Sequence, residues 1–458
     1  MVFVNRDREL NELEKWWARP DASLGIVWGR RRVGKTWLLQ RFSQFRRSVF
    51  HVATGRPLEQ ELRELSRAAA HVFAGGERDL ATDPFRDWDD AFECLGRAAA
   101  TEPLLVVLDE FPELLAVTPW LPGYLRAMWE GLKRTTKLKI VLSGSAVRTM
   151  WAMQAYREPL YGRFDVNIRL DPFWPHEAAQ MLQSLAPADR ALVWGILGGI
   201  PTYLEWWEPE YDVAENIEVL VGRPGSPLLA EGDLVLATET GTDAGKYVLH
   251  AIANGRTRRN EIEDVVGEDA TLALQRLEEL LLVERVLPVT DDSRSPRSFF
   301  YRVADNFLAF LLGVLDPYRA EIDRGLGETI VQPVMHRLDD FMGARWEEAF
   351  RMHLRRMARD GALAPDAMAV GPFWNSRSTD PSEIDAVVLA GVERRAVLVG
   401  EAKWTRRVDA TRIRRDLERK AAALPRPAPD LRYAVCAREV VDNTDGVLAI
   451  TADDIFDG

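Results

Sequence analysis

Eight consecutive residues, Gly29-Arg30-Arg31-Arg32-Val33-Gly34-Lys35-Thr36, have the types and spacing of a loop that closes around phosphate. Glycines let backbone N–H groups approach phosphate oxygens, and a helix starting at the end of the loop adds the positive end of its dipole. Lys35 is then placed to reach β- and γ-phosphates, the Thr36 hydroxyl to ligate Mg²⁺, and Trp37 to open the helix. Downstream, the apolar run Leu104-Leu105-Val106-Val107-Leu108 ends in Asp109-Glu110. Asp109 is expected to hold Mg²⁺ through water and Glu110 to orient an attacking water. Two acids after a strand are alone an ordinary solvated turn; after a complete phosphate loop they point to hydrolysis of a nucleotide. Ser143 follows another apolar run and reads either as a sensor of the γ-phosphate or as part of a turn. Arg163, in Pro159-Leu160-Tyr161-Gly162-Arg163, reads either as a charge stabiliser or as an ion-paired surface arginine.

A second acidic constellation lies near the C-terminus, in Glu383 to Ala390 and Ala396 to Lys403. A hairpin turn centred near Glu393 sets Asp385 opposite Glu401, and the alternation of side chains along a strand brings Lys403 to the same face. Val387, Leu389, Val397 and Val399 are expected on that face, with Ile384, Val388 and Leu398 on the other. This arrangement resembles the PD-(D/E)xK nuclease pattern. The resemblance implies Mg²⁺ or Mn²⁺ held by Asp385 and Glu401, with Glu347 as a further carboxylate on a helix over 343–358. It also implies that Lys403 positions or deprotonates water for phosphodiester hydrolysis. The plainer readings are solvent-facing charges on an edge hairpin, or a nuclease fold that has lost its activity. From Lys403 to Lys420 there are eight basic residues against three acidic ones. That surplus of five favours a nucleic acid, although arginine-rich helix faces are often merely solvated.

The elements that must position these residues are legible as apolar runs. Leu24–Trp28, Ser48–Ala53, Leu104–Leu108, Leu138–Leu142 and Val166–Leu170 read as strands of a covered parallel sheet, with helical stretches between them. The pattern turns helical from Trp174 to about Glu208, and 222–227, rich in glycine and proline, reads as a linker. Three short helices over 246–253, 259–265 and 271–282, then strand-like runs 283–289 and 298–303 around a polar turn 290–297, outline a winged helix-turn-helix. The chain has 458 residues, too many for one core, and a formal charge of −12. A nucleic acid must therefore find a local basic patch. Two cysteines and six scattered histidines exclude a disulfide framework and a Cys- or His-built metal centre. No apolar run approaches the ~20 residues of a membrane span, and the N-terminus lacks an export core, so a cytoplasmic protein is expected.

Phe3 to Leu10, the phosphate loop, Leu108-Asp109-Glu110-Phe111, Gly144-Ser145, Pro159 to Arg163 and Gly198 to Leu204 together resemble the archaeal-type P-loop ATPases, relatives of the AAA+ and STAND groups. The resemblance implies ATP over GTP, Arg6 near the nucleotide base, and Gly199-Ile200-Pro201 in a helical lid. It further implies a winged helix and a nuclease-like C-terminal part. The expected fold is α/β and multidomain, divided into a P-loop core (1–170), a lid and linker (171–235), a winged helix-turn-helix (236–308), a helical connector (309–342) and a restriction-endonuclease-like α/β unit (343–458). DNA is the expected partner of the C-terminal half. Arg256, Arg258 and Arg259 favour DNA at the winged helix, while Glu261, Glu263, Asp264, Glu268 and Asp269 oppose it. The rival expectation is a nucleotide-switched regulator or scaffold with an inactive nuclease fold, and a homo-oligomer or protein partner is left open.

Overall fold

The apolar runs of the first third form one parallel sheet: β1 (Ser23–Trp28), β2 (Ser48–Val52), β3 (Leu104–Asp109), β4 (Leu138–Gly144) and β5 (Val166–Arg169). The computed structural model describes residues 4–74, 78–240, 243–291, 299–375 and 382–457. Their order across the sheet is β2-β3-β4-β1-β5. The three inner strands are buried at every residue, as continuous apolar runs covered on both faces must be. Edge strands β2 and β5 are buried only in part. A core of Leu13, Trp16, Val27, Val33, Leu38, Leu39, Phe42 and Val107 closes one side. Because the strands are parallel, β1 and β3 deliver their following loops to the same carboxyl end, where such sheets bind ligands.

The chain divides into two compact units, 1–171 and 172–458. The second opens with helices Pro175–Ala179, Pro187–Leu197, Pro201–Glu205, Val213–Val221 and Pro227–Thr238. Residues 222–227 do not behave as a linker. Gly327 lies so close that a Cβ there would sit 1.6 Å from the Gly222 carbonyl oxygen, so the turn is packed in place.

Helices Asp243–Ala253, Arg259–Val266 and Thr271–Glu279 follow, then an antiparallel hairpin of β6 (Val283–Val286) and β7 (Phe300–Val303). The third helix stops short of Leu282 because Leu281 takes a left-handed φ of 59°. Most of the expected turn 290–297 lies outside the described residues. The helix expected from 343 begins at Val331 and runs unbroken to Arg359, so a division at 342/343 would cut a hydrogen-bonded helix.

The last sheet contains β8 (Ala367–Asn375), β9 (Ser382–Ala390) and β10 (Arg395–Lys403), with a short strand β11 (Arg407–Asp409) after them. Helix Ala410–Ala421, β12 (Pro427–Ala437), β13 (Val440–Asp442) and β14 (Val447–Ile450) complete it, in the order β14-β12-β10-β9-β8, with β11 and β13 paired apart. No described helix is long and apolar enough to cross a membrane.

Candidate active sites

The phosphate loop runs from the end of β1 into helix Lys35–Ser43. Gly29 (φ 155°), Arg32 (φ 64°) and Gly34 (φ 94°) all take positive φ, which turns successive N–H groups toward one concavity. At Gly29 a Cβ would lie 2.3 Å from the Leu170 carbonyl oxygen, so only glycine fits against the chain after β5. The Lys35 ammonium is folded into the loop and donates to the carbonyl oxygens of Gly29 (3.0 Å) and Arg30 (2.9 Å). Arg6, buried and also in a left-handed conformation, donates to the carbonyls of Val33 (3.0 Å) and Asp171 (2.9 Å), so the N-terminal segment braces the loop. Arg30 and Val33 are buried, whereas Arg31, Arg32 and Trp37 are exposed.

The Thr36 hydroxyl donates to Asp109 Oδ2 at 2.6 Å, which joins the start of helix Lys35–Ser43 to the end of β3. Asp109 is wholly buried, and its other oxygen accepts the Glu110 amide at 3.1 Å. Glu110 sits at φ 49°, a conformation that costs a non-glycine residue free energy and aims its side chain away from the strand. Its carboxylate accepts the amide (3.2 Å) and the hydroxyl (2.9 Å) of Ser145, just beyond β4. Ser145 belongs to a segment read as either a γ-phosphate sensor or a turn, and only the tertiary contact shows its grip on Glu110. Ser143 is fully buried and its hydroxyl has no partner among the described residues. A hard dication with nucleotide oxygens fits this cluster, since hydroxyl and carboxylate oxygens converge beside a loop of inward N–H groups.

Arg163 does not belong to this cluster. It precedes β5 and ion-pairs with Glu130. Arg169, six residues on, pairs with Trp28 at the phosphate end of the sheet. Arg163 therefore lies before the amino end of β5, the end of that strand opposite the phosphate loop.

In the second unit, β9 and β10 pair with Val387 opposite Val399 and Ala386 opposite Gly400, which carries Asp385 toward Glu401. The register slips by one between Ala396 and Leu398, and the turn itself is tighter than one centred on Glu393. A second irregularity lies in β9: Gly371 pairs with Val387 but Phe373 pairs with Ile384, so Asp385 and Ala386 together face Pro372. Proline has no N–H to give to the ladder, and a bulge answers that lack. Val387, Leu389 and Val399 share a face as expected, but these two irregularities change two other placements. Ile384 joins Val387, Leu389 and Val399 in the core under Leu417, and Ala396 takes the place expected of Val397.

Asp385 and Glu401 are both buried. Asp385 Oδ2 accepts the Ala402 amide at 2.8 Å. Burial, then the charges of Glu347 and Glu401, push the Asp385 carboxyl up to about 7. Burial also raises Glu347 against the pull of Arg351, which stands 3.6 Å away. Lys403 donates to Glu401 at 2.7 Å, and Lys420, from helix Ala410–Ala421, donates to both Glu401 oxygens at 3.2 and 3.0 Å. Burial works against the Lys403 ammonium, but the bond to Glu401 together with the charges of Glu401 and Asp385 holds the lysine above its ordinary value. Lys420 as a second cation on Glu401 went unassigned in the sequence, where it was one basic residue of eight.

No three His, Cys, Asp or Glu side chains group closely enough to hold a metal among the described residues, so Glu347 does not join Asp385 and Glu401 in a three-carboxylate cluster. The pair alone still suits Mg²⁺ or Mn²⁺, because Mg²⁺ commonly takes one or two carboxylates and keeps water for the rest. The basic surplus is largely spent: Arg406 pairs with Glu439, Arg407 with Asp442, Arg414 with Glu418 and Arg419 with Asp416.

Residues 3–206 match an ATPase domain predominantly from Archaea, and residues 312–414 match a family described as "Archaea bacterial proteins of unknown function". An uncharacterized protein of Methanocaldococcus jannaschii is 24% identical over 453 residues, 97% of this chain and 98% of that one. An uncharacterized ATP-binding protein of the same organism is 52% identical over 42 residues, 9% of this chain and 71% of the other. A Walker-type ATPase of Pyrococcus abyssi, 20% identical, superposes with a TM-score of 0.51 over 68% of this chain and 96% of its own, a likeness of fold. With its phosphate loop and its Thr36–Asp109 contact, the segment 3–206 belongs to the ATPase domain family found predominantly in Archaea.

Proposed function

We propose that the protein is a Mg²⁺-dependent ATPase whose nucleotide cycle acts on a C-terminal unit that binds DNA and cuts phosphodiester bonds with metal help. The Thr36–Asp109 hydrogen bond carries the first half of this reading, because it brings the two expected magnesium ligands together, one from the helix after the phosphate loop and one from the end of β3. A magnesium ion held by Thr36, and by Asp109 through water, would supply charge neutralisation for the β- and γ-phosphates. The chain's own residues do the rest. Loop N–H groups and Lys35, exchanging its bonds to Gly29 and Arg30, grip the phosphates. Glu110 orients water and accepts its proton, and Ser143 offers a hydroxyl to the γ-phosphate.

Coupling is supported by where the ATPase segment ends. Residues 172–206 belong to the matched domain yet pack within the second unit. There Arg190 donates to the Phe456 carbonyl at 2.9 Å and Trp194 stacks edge-on against Phe456. The lid helices and the C-terminal sheet unit therefore travel together.

In that unit a metal held by Asp385 and Glu401 would supply an activated water and screen the scissile phosphate. Asp385 keeps one oxygen on the Ala402 amide, and Lys403 stands at Glu401 to position the water. DNA contact falls to Arg412 and Arg415, which have no acidic partner among the described residues. The three-helix and hairpin segment supports a winged helix-turn-helix reading. A specific observation favours the alternative, a nucleotide-switched scaffold: Lys403 and Lys420 already satisfy Glu401, as they would in a site that no longer needs metal.

Lys35→Ala should weaken ATP binding about 10²-fold or more, the loss of two or three charge-assisted hydrogen bonds. Unchanged affinity by calorimetry would remove the ATPase reading. Separately, Mn²⁺-dependent cleavage of a plasmid should vanish in Asp385→Ala; equal cleavage, or none by the unaltered protein, would leave the scaffold reading.

A further inference from the structure

Asp385 lies in a bulge of β9, where it and Ala386 together face Pro372 of β8, so its carbonyl falls outside the regular β8–β9 pairing. That carbonyl is taken by Arg351 from helix Val331–Arg359, whose Nη1 donates to it at 2.8 Å. Arg351 is itself buried and has few orientations open to it. Its Nε donates to Glu348 at 2.9 Å. Glu348 also accepts from Arg355 at 2.7 Å and from Arg302 at 3.2 Å. Arg302 lies in β7, where its Nε donates to Glu284 of β6 at 2.8 Å. A continuous chain of ionic hydrogen bonds therefore runs from the hairpin β6–β7, through Glu348 and Arg351, to the backbone of Asp385.

Two further ties fix the hairpin to the same bulge. The Val289 amide, just past β6, donates to the carbonyl of Pro372, the residue opposite Asp385–Ala386, at 2.8 Å. Phe300 of β7 packs on Trp374 of β8 with ring centroids 5.1 Å apart. A half-buried carboxylate among three guanidinium groups is costly to break, because each lost partner leaves a charge less well compensated. A hairpin anchored so heavily is a strut and not a free wing.

We propose that Arg351 is a positioning residue that holds Asp385 in its cation-binding orientation, and that the hairpin β6–β7 sets that hold through Arg302 and Glu348. This rests on the reading of Asp385 and Glu401 as a metal site. The three-helix unit thereby controls the affinity of the distant carboxylates for a dication. Partners outside a ligand set commonly change metal affinity by about 10- to 100-fold when removed.

The experiment titrates the full-length, nucleotide-free protein with Mn²⁺ and reads free Mn²⁺ by electron paramagnetic resonance. Asp385→Ala identifies the site as the binding it abolishes. Glu348→Gln and Arg302→Met should weaken that binding about tenfold, while Arg302→Lys, which keeps a cation at the strut, should recover most of it at similar melting temperature. Should Glu348→Gln not fold, the Arg302→Met and Arg302→Lys pair decides. Unchanged Mn²⁺ affinity in Arg302→Met, with loss in Asp385→Ala, overturns the strut and leaves the metal site standing. Weakening by Arg302→Met and Arg302→Lys alike reduces Arg302 to a packing role and overturns it too. Equal binding by the unaltered protein and Asp385→Ala overturns both readings.

Discussion

The two acidic sites are assembled in opposite ways. In the first unit Asp109 and Glu110 are neighbours on one strand end, and each carboxylate accepts hydrogen bonds from groups beside it: Thr36 and the Glu110 amide for one, Ser145 for the other. In the second unit Asp385 and Glu401 come from different strands, and their mutual charge is answered by two lysines on Glu401 and one amide on Asp385. The first cluster is locally complete and awaits a ligand to finish a shell. The second carries an unresolved conflict, a carboxyl that holds its proton to about pH 7. A cation at the second site would relieve that conflict, whereas at the first it would displace hydrogen bonds already made.

The contrast breaks most sharply at Glu110. Glu110→Gln keeps the shape of the side chain but cannot take a proton, so steady-state turnover should fall about 10²-fold or more while ATP affinity holds. Normal turnover would show that the first cluster does not need its base.

The second site should announce itself through pH. Asp385 binds its proton near pH 7 when folded and near pH 4 when unfolded, so the folded chain holds more protons between those values. Stability should therefore decline as pH rises from about 4 to about 7 and level off above. Asp385→Asn should flatten that slope in thermal melts, and Mg²⁺ at pH 8 should restore stability to the unaltered protein but not to the variant.

A finer probe returns to the first site. Ser145→Ala removes one of two bonds to the Glu110 carboxylate, worth about 1 kcal/mol or roughly fivefold in turnover, with ATP affinity unchanged. The smallest effect is expected at Arg163, which pairs with Glu130 before the amino end of β5. Arg163→Ala should leave ATP affinity within about twofold, and a larger loss by calorimetry would mean that the sheet does not separate the two as described.

Much of the first unit could be read directly. Leu24–Trp28, Leu104–Leu108 and Leu138–Leu142 were recognisable because inner parallel strands are apolar at every position, and each appears within two residues of its expected ends. The second unit was harder. β8 carries Gly371-Pro372 in its middle and β14 has only four residues, so neither shows the run or alternation that marks a strand. The start of helix Val331–Arg359 was missed although Val331, Val334, Leu338 and Met342 are buried at helical spacing, because Pro333 and polar neighbours interrupt the apolar pattern.

From the order of residues alone follow the phosphate loop, its acidic counterpart at the end of β3, and the meeting of Asp385 with Glu401. Each is fixed by backbone geometry over a few residues, by strand ends or by pairing in a hairpin. Folding in three dimensions alone decided which groups hold those carboxylates. Ser145 reaches the Glu110 carboxylate across 35 residues, Lys420 the Glu401 carboxylate across 19 and Arg351 the Asp385 carbonyl across 34, and the bulge opposite Pro372 moved Ile384 to the face that simple alternation denies it. Local spacing constrains the chain's own path, but burial lets distant charges find each other wherever leaving them unpaired would cost more.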